Sequence, residues 1–178
     1  QHVRARLSPQ VSRLIISANR ETAQYAQWGD VVIADDTIDG GPAYGEPTHG
    51  GPLYGMRAVL RQLLHDGDDS ARLLFCCPGD APLLDRRLVA RLESAMTSTD
   101  ADVVYPHDGQ RAQHLFVLLR VSDALAASLD EYLASDERAV HGWLERCRST
   151  SVDASDIASS FANVNTPQDL ADLAKRAG

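Results

Sequence analysis

The stretch RLLFCCPGDAP, residues Arg72–Pro82, decides the fold class of this 178-residue chain. It opens with a short apolar run, Arg72–Cys76, of the kind found in strands buried on both faces of a sheet. Pro78 and Gly79 end the run, and Asp80 follows directly. In open α/β sheets, ligands bind beyond the carboxyl ends of the strands. The stretch therefore predicts an α/β fold with a ligand site beside Asp80.

Short apolar runs alternate with amphipathic segments along the rest of the chain. Further strands are predicted at Arg13–Ser17, Val31–Ala34, Asp102–Tyr105 and His114–Val121, and helices at Glu21–Trp28, Tyr54–His65, Leu83–Met96, Ser122–Leu133, Arg138–Arg146 and from Thr166 to about Arg176. Because most of these strands have no polar face, we expect a Rossmann-like, mostly parallel sheet with helices on both faces. The longer run at His114–Val121 is compatible with either strand direction. No domain boundary is visible, so residues 1–178 are predicted to form a single domain.

The overall composition excludes several classes of protein. A net charge of −8 argues against a protein that holds nucleic acid through many phosphate contacts. The three cysteines, two of them adjacent, do not form a disulfide framework and indicate reduced thiols in a cytoplasmic protein. No apolar stretch approaches the length of about 20 residues that a membrane span needs.

Polar residues follow three of the predicted strands. Ser17 and Asn19 follow the first, Asp36 the second and Asp80 the third. Because ligands bind at such strand ends, these side chains are expected to form a polar pocket. Asp80 suits Mg²⁺, which takes one or two carboxylates and completes its shell with water and substrate phosphates. The alternative is that Asp80 caps the turn or helix that begins at Pro82.

The segment after the second predicted strand suits a flat, anionic ligand. The Asp36 carboxylate could accept the paired N–H donors of guanine, or it could cap a turn before Thr37. The glycines of Gly50–Gly55 let the backbone approach a ligand closely, and the helix that follows favours anions at its N-terminus. A glycine-rich loop alone is weak evidence, because many such loops are only turns.

Six short motifs are spread over nearly the whole chain. They are SANR at 17–20, DD at 35–36, GPLYGM at 51–56, CPGDAP at 77–82, HDGQR at 107–111 and NVNTPQDL at 163–170. Together they resemble the motifs of the molybdenum cofactor guanylyltransferases, although each alone would be weak. The resemblance implies a nucleotidyltransferase that joins GMP from GTP to the molybdenum cofactor and releases pyrophosphate. It also implies that Asp80 binds Mg²⁺.

The resemblance further implies which residues bind each substrate. Ser17 and Asp36 match positions that contact the nucleotide, with Asn19 beside them. The loop residues Gly51, Leu53 and Gly55 would flank the guanine.

For the pterin substrate, the resemblance points to Asn163 and Asn165, and Arg111 is a further candidate for an anionic group. Amide side chains both donate and accept hydrogen bonds, which suits a pterin or a phosphate. Cofactor-handling proteins and recipient molybdoenzymes are the protein partners that the family implies.

Two departures from the family pattern matter. The segment Asp39–Gly50 is longer than expected, and the motif GGPAYG at 40–45 is repeated as GGPLYG at 50–55. The family's first strand and its glycine-rich, basic phosphate loop are not present in the sequence. We therefore expect a gap in the sheet between Arg13–Ser17 and Arg72–Cys76, and little or no activity if the chain is complete as written.

Two other functions remain open from the sequence. One is a related nucleotidyltransferase, specific for a cytidine or a sugar nucleotide. The other is a non-catalytic relative that binds a nucleotide or a partner, which the missing phosphate loop would favour. The retained Asp36, Asp80 and paired asparagines oppose the second reading.

Overall fold

A computed structural model describes residues 2–34, 51–67 and 73–162. Within these ranges it contains six strands and six α-helices. The strands are β1 Ile15–Ser17, β2 Val31–Ile33, β3 Leu73–Cys76, β4 Val103–His107, β5 Val117–Arg120 and β6 Ser149–Asp153. The helices are α1 His2–Leu7, α2 Thr22–Tyr25, α3 Pro52–His65, α4 Leu88–Thr97, α5 Asp123–Ala134 and α6 Val140–Leu144, with 3₁₀ turns at Ser8–Gln10 and Ser155–Phe161.

Four of the strands form one sheet in the order β3-β5-β4-β6. β5 is antiparallel to both of its neighbours, which settles the direction that the sequence left open. β4 and β6 are parallel. It follows that β3, β4 and β6 run in the same direction and end at one edge of the sheet, which we call the carboxyl edge. The strands β1 and β2 form a separate parallel pair.

Helices cover both faces of the four-stranded sheet, as the sequence predicts. Neighbouring residues along a strand point to opposite faces, so Val103 packs under α3, α5 and α6 while Val104 packs under α4 and the turn Ser155–Phe161. Both valines are fully buried. This double cover explains why the central residues Val103, Val104 and Val117–Leu119 are all apolar.

The sheet is interrupted between β1 and β3. Among the described residues β1 pairs only with β2, and β3 pairs only with β5. A cavity of about 1150 Å³, the β1–β3 cleft, lies between these two strands and is bounded by α1 and α3 on the two sides. All four residues of β3 are only half-buried, whereas Val117–Leu119 of β5 are fully buried. The cleft therefore leaves a strand edge exposed where a continuous sheet would bury it.

Several predicted boundaries are wrong, for physical reasons. The helix predicted from Leu83 begins at Leu88, because the Asp85 carboxylate accepts a hydrogen bond from the Arg87 amide and holds residues 81–87 in turns. The strand predicted from His114 begins at Val117, since the Phe116 amide donates to the Gln113 carbonyl in a tight turn.

Other differences concern short elements. The helix predicted over Glu21–Trp28 is a single turn, and β6 was not predicted because its sequence, STSVD, is mostly polar. The predicted C-terminal helix from Thr166 lies outside the described residues. Among the helices that the structure describes, none combines the length and the apolar character needed to cross a bilayer.

Candidate active site

Most of the predicted nucleotide-binding residues border the β1–β3 cleft. Ser17 and Asn19 at the end of β1, Gly51 and Gly55 at the start of α3, and Gly79 just after β3 all line it. β1 holds its end in place through the Ala18 amide, which donates to the Ile33 carbonyl of β2 at 2.9 Å. Three separate segments of the sequence thus contribute polar or glycine residues to one cavity.

The start of α3 presents backbone to this cavity. Gly51 has φ 78° and ψ −177°, a conformation that L-residues with a side chain rarely adopt, and Pro52 follows at the first helical position. A Cβ atom on Gly51 would meet nothing within 4 Å, so the space beside it is open. No side chain caps the helix. Because Pro52 has no N–H and the Tyr54 amide donates to the Gly51 carbonyl at 3.2 Å, the Leu53 amide is the first helical N–H group that an anionic ligand could reach.

Leu53 is a special case among the predicted nucleotide-binding residues. Its side chain is fully buried in the core beneath α3, α5 and α6. Contact with a nucleotide is therefore possible only through its backbone, in contrast to Gly51 and Gly55, which face the cleft.

Asp80 lies in the turn that follows β3 at the carboxyl edge and is half-buried. Within the described residues its carboxylate takes part in no hydrogen bond or ion pair. It does not cap α4, whose N-cap is Arg87 and has no side-chain cap bond. The capping interpretation is thus wrong for α4, and the carboxylate is left available to a ligand.

A metal at Asp80 would need most of its ligands from a substrate. In the described part of the chain no group of three or more His, Cys, Asp or Glu residues lies close enough to hold an ion. One carboxylate fits Mg²⁺ bound chiefly by water and phosphate oxygens, and does not fit an all-protein metal cage.

Cys76 and Cys77 border the cleft at the end of β3, and both are free thiols. Burial raises the pKa of each thiol to about 12. Because the thiol must lose its proton to act as a nucleophile or a metal ligand, neither residue contributes such chemistry at neutral pH. They serve as small apolar residues in the cleft wall.

Arg111 lies apart from the cleft, in the turn between β4 and β5. The Asp108 carboxylate accepts hydrogen bonds from the backbone amides of Gln110 and Arg111, both at 2.8 Å, and from Gln113. These bonds lower the Asp108 pKa to about 2. The Arg111 guanidinium is 4.0 Å from Asp108 and is largely exposed, so it remains free to turn toward a ligand at this edge.

Three of the predicted site residues, Asp36, Asn163 and Asn165, lie outside the described residues, as does the whole of the extended loop Asp39–Gly50. Conversely, the structure brings together three aromatic side chains that sequence reasoning missed as a group. The ring of His114 is 5.0 Å from that of Tyr105 and 6.1 Å from that of His141. No sequence spacing signals this cluster, because each residue comes from a different element.

The chain matches a known domain family over most of its length. Residues 1–150 match the model of the MobA-like NTP transferase domain. The chain is therefore a member of a nucleotidyltransferase family.

Two curated relatives identify the family within the nucleotidyltransferases more specifically. A molybdenum cofactor guanylyltransferase of Shewanella sp. strain MR-4 is 34% identical over 98% of this chain and 80% of its own length. The enzyme of the same name from Shewanella frigidimarina is 35% identical over 97% of this chain and 80% of its own length. The chain belongs to the molybdenum cofactor guanylyltransferase family.

Solved structures agree on the fold. Molybdopterin-guanine dinucleotide biosynthesis protein A from Archaeoglobus fulgidus superposes with a TM-score of 0.69 at 18% identity, covering 99% of this chain and 83% of that one. A 4-diphosphocytidyl-2C-methyl-D-erythritol synthase from Anaerococcus prevotii gives a TM-score of 0.66 at 11% identity, covering 99% and 88%.

Proposed function

We propose that this protein transfers GMP from GTP to the molybdenum cofactor, giving the guanine dinucleotide form and pyrophosphate. Family membership names the reaction class. The observation that carries the assignment in this chain is the Asp80 carboxylate, which has no partner among the described residues and directly follows Gly79 in the wall of a cleft also lined by Ser17, Asn19 and Gly51. These features provide a place for a nucleotide and a ligand for the cation that accompanies its phosphates.

In this reaction the terminal phosphate of the pterin attacks the α-phosphorus of GTP, and pyrophosphate leaves. The attacking oxygen is already ionised, so the protein needs no strong base. Its task is to hold two anions together in line. Mg²⁺, when bound at Asp80, would neutralise charge on the phosphates.

The remaining roles are divided between the two substrates. Ser17 and Asn19 are proposed to contact the nucleotide from the end of β1, and Asp36 to accept hydrogen bonds from its guanine. The backbone at Gly51–Gly55 would flank the base. Asn163, Asn165 and Arg111 are proposed for the pterin substrate.

A cytidylyltransferase is the closest competing function, because one structural neighbour has a cytidylyl name. The two functions are separated by supplying GTP or CTP, with Mg²⁺ and the molybdenum cofactor, and measuring the dinucleotide product. We expect product with GTP and little with CTP. Equal or faster turnover of CTP would overturn the guanine assignment, and binding without turnover of either nucleotide would support a non-catalytic role.

We also propose that a further strand completes the sheet in the β1–β3 cleft. In a sheet, neighbouring strands are about 4.8 Å apart, each residue adds about 3.3 Å of length, and the layers packed on each other are about 10 Å apart. The product of these three dimensions is roughly 160 Å³ for each residue of a strand. The cleft of about 1150 Å³ is therefore large enough for a strand of several residues. Since helices bound both sides of the cleft, the strand should be apolar on both faces.

Hydrogen exchange tests this structural proposal. In the protein made from its natural gene, the amides of Ile15–Ser17 and Leu73–Cys76 that point into the cleft should exchange slowly. In the 178-residue chain alone the same amides should exchange fast. Equal exchange in the two samples would show that no strand occupies the cleft.

The proposal extends to the cellular compartment and to the protein partners. The cytoplasm is the compartment that suits three free cysteines. Cofactor-handling proteins and recipient molybdoenzymes are the protein partners expected for an enzyme that makes a labile cofactor.

A further inference from the structure

Tyr105, His114 and His141 form a compact cluster that the proposed roles above do not use. The Tyr105 and His114 rings meet edge to face, with centroids 5.0 Å apart and planes inclined by 65°. The His114 and His141 rings are 6.1 Å apart and inclined by only 33°. Within the described residues, neither imidazole makes a hydrogen bond.

The topology puts this cluster at the carboxyl edge. Tyr105 is near the end of β4, and His114 lies just before β5, which is antiparallel to β3 and β4 and so begins where they end. His141 is at the start of α6, which leads back to the beginning of β6. Asp80 follows the end of β3 at the same edge.

The surroundings of the two imidazoles favour an anion as their ligand. Each protonated ring would repel the other, and the pKa of His114 is lowered chiefly by burial and then by the neighbouring His141. Glu145, which directly follows α6, is the acidic group among the described residues that raises the pKa of His114, and its effect is weaker. An anion placed against both rings would relieve the repulsion and favour their protonated forms.

The distance between the rings also suits one small anion. At 6.1 Å between centroids the imidazoles are too far apart to be one stacked pair, yet a tetrahedral phosphate above them could accept an N–H···O bond of about 2.8 Å from each. In a chain with a net charge of −8, such local donors are needed to hold a second anion.

We propose that Tyr105, His114 and His141 form a binding site for a phosphate monoester at the carboxyl edge. The identity of the ligand rests on the proposed function: it would be the phosphate of the pterin substrate, brought toward the nucleotide from the β4 side of the sheet. His114 and His141 donate to the phosphate oxygens, and Tyr105 fixes the orientation of the His114 ring.

Histidine titration by NMR tests the site without any turnover. The pKa values of His114 and His141 are measured in the protein made from its natural gene, with and without saturating inorganic phosphate, and exposed His65 at the end of α3 is the internal reference. Phosphate binding should raise both pKa values by about one unit and leave that of His65 unchanged. In His114→Gln, phosphate should no longer move the His141 pKa. Equal, small shifts at all three histidines would overturn the proposal.

Kinetics of the protein made from its natural gene separate this site from the proposed function. His114→Gln should raise KM for the molybdenum cofactor about tenfold or more and leave KM for GTP unchanged, while His65→Gln should change neither. If His114→Gln transfers guanylyl groups with an unchanged KM for the cofactor, the phosphate-site proposal is wrong and the proposed function stands. If phosphate raises the pKa values of His114 and His141 but the protein transfers no nucleotide, the proposed function is wrong and the phosphate site is retained.

Discussion

Replacing Asp80 by asparagine should abolish most of the activity and leave the stability unchanged. The Asp80 side chain is half-buried but has no hydrogen-bond or ion-pair partner among the described residues. The substitution keeps the size of the side chain and removes only its charge. Because no protein group depends on that charge, we expect the free energy of unfolding to change by less than about 0.5 kcal/mol.

The expected loss of activity follows from the sparse ligand set. Since the described residues provide no cluster of three metal ligands, Asp80 would be the main protein contact of a phosphate-bound Mg²⁺. Removing one preorganised group of this kind lowers turnover by about 10²–10³-fold, or about 2.7–4 kcal/mol of transition-state stabilisation. The variant should also need more Mg²⁺ to reach half of its residual rate.

Asp85→Asn is the matched control, five residues further along the same loop. The Asp85 carboxylate is engaged by Arg87, with hydrogen bonds of 2.8 and 2.9 Å to one of its oxygens, and this interaction lowers its pKa. This control should cost about 0–1 kcal/mol of stability and leave turnover intact. The assay is pyrophosphate release over a range of Mg²⁺ concentrations, together with urea unfolding. Wild-type turnover in Asp80→Asn, or an equal loss in both variants, would refute the reasoning.

Three further predictions concern stability and reactivity. Gly142→Ala should lower the free energy of unfolding, measured in urea, by about 1–3 kcal/mol, because the new Cβ would lie 2.4 Å from the Tyr132 hydroxyl. The control Gly79→Ala should lower it far less, because a Cβ there meets nothing within 4 Å. The half-buried Cys76 and Cys77 have thiol pKa values raised to about 12, so they should react with a disulfide reagent at pH 8 far more slowly in the native protein than in urea. Equal rates would contradict the desolvation of these thiols. Asp108→Ala should lower the melting temperature at pH 7. The difference from wild type should vanish between about pH 4 and pH 2, because a carboxyl group with a depressed pKa stabilises the fold only while it is ionised. A difference that persists at pH 2 would show that the charge is not responsible.

The layout of the fold was predictable because most of its strands are short, apolar and followed by turn residues. The run that ends at Cys76 gave β3 and placed Asp80 after it, and the structure keeps both. β6 was missed because the residues of Ser149–Asp153 are mostly polar and become a strand through pairing with β4, which no local pattern shows.

Helix ends were harder to predict than helix existence. The start of α4 moved to Leu88 because the Asp85 and Arg87 side chains stabilise a turn that apolar periodicity cannot detect. The single turn α2 ends at Tyr25, and Gly29 shortly after it lies so close to β1 that a Cβ there would be 2.9 Å from the Ile16 side chain. These are tertiary effects that override local propensity.

The candidate site likewise contains residues that local sequence patterns indicate and residues that only the tertiary structure brings together. Glycines and carboxylates at strand ends carry a local signal, so Gly51 and Asp80 could be proposed from the sequence, and the structure places Gly51 in the wall of the cleft. Buried Leu53 belongs to a recognisable motif, yet only the structure shows that its side chain packs in the core. The proximity of His114 and His141 depends on the order of the strands in the sheet, which neither residue's neighbours in the sequence reveal.

The fate of labelled GTP tests the central claim most directly. The protein made from its natural gene is incubated with the molybdenum cofactor, Mg²⁺ and GTP that carries ³²P at either the α or the γ position. Our account predicts that the α label enters the cofactor and the γ label leaves in pyrophosphate. Release of the γ label as free phosphate, with no α label in the cofactor, would show GTP hydrolysis and contradict guanylyl transfer.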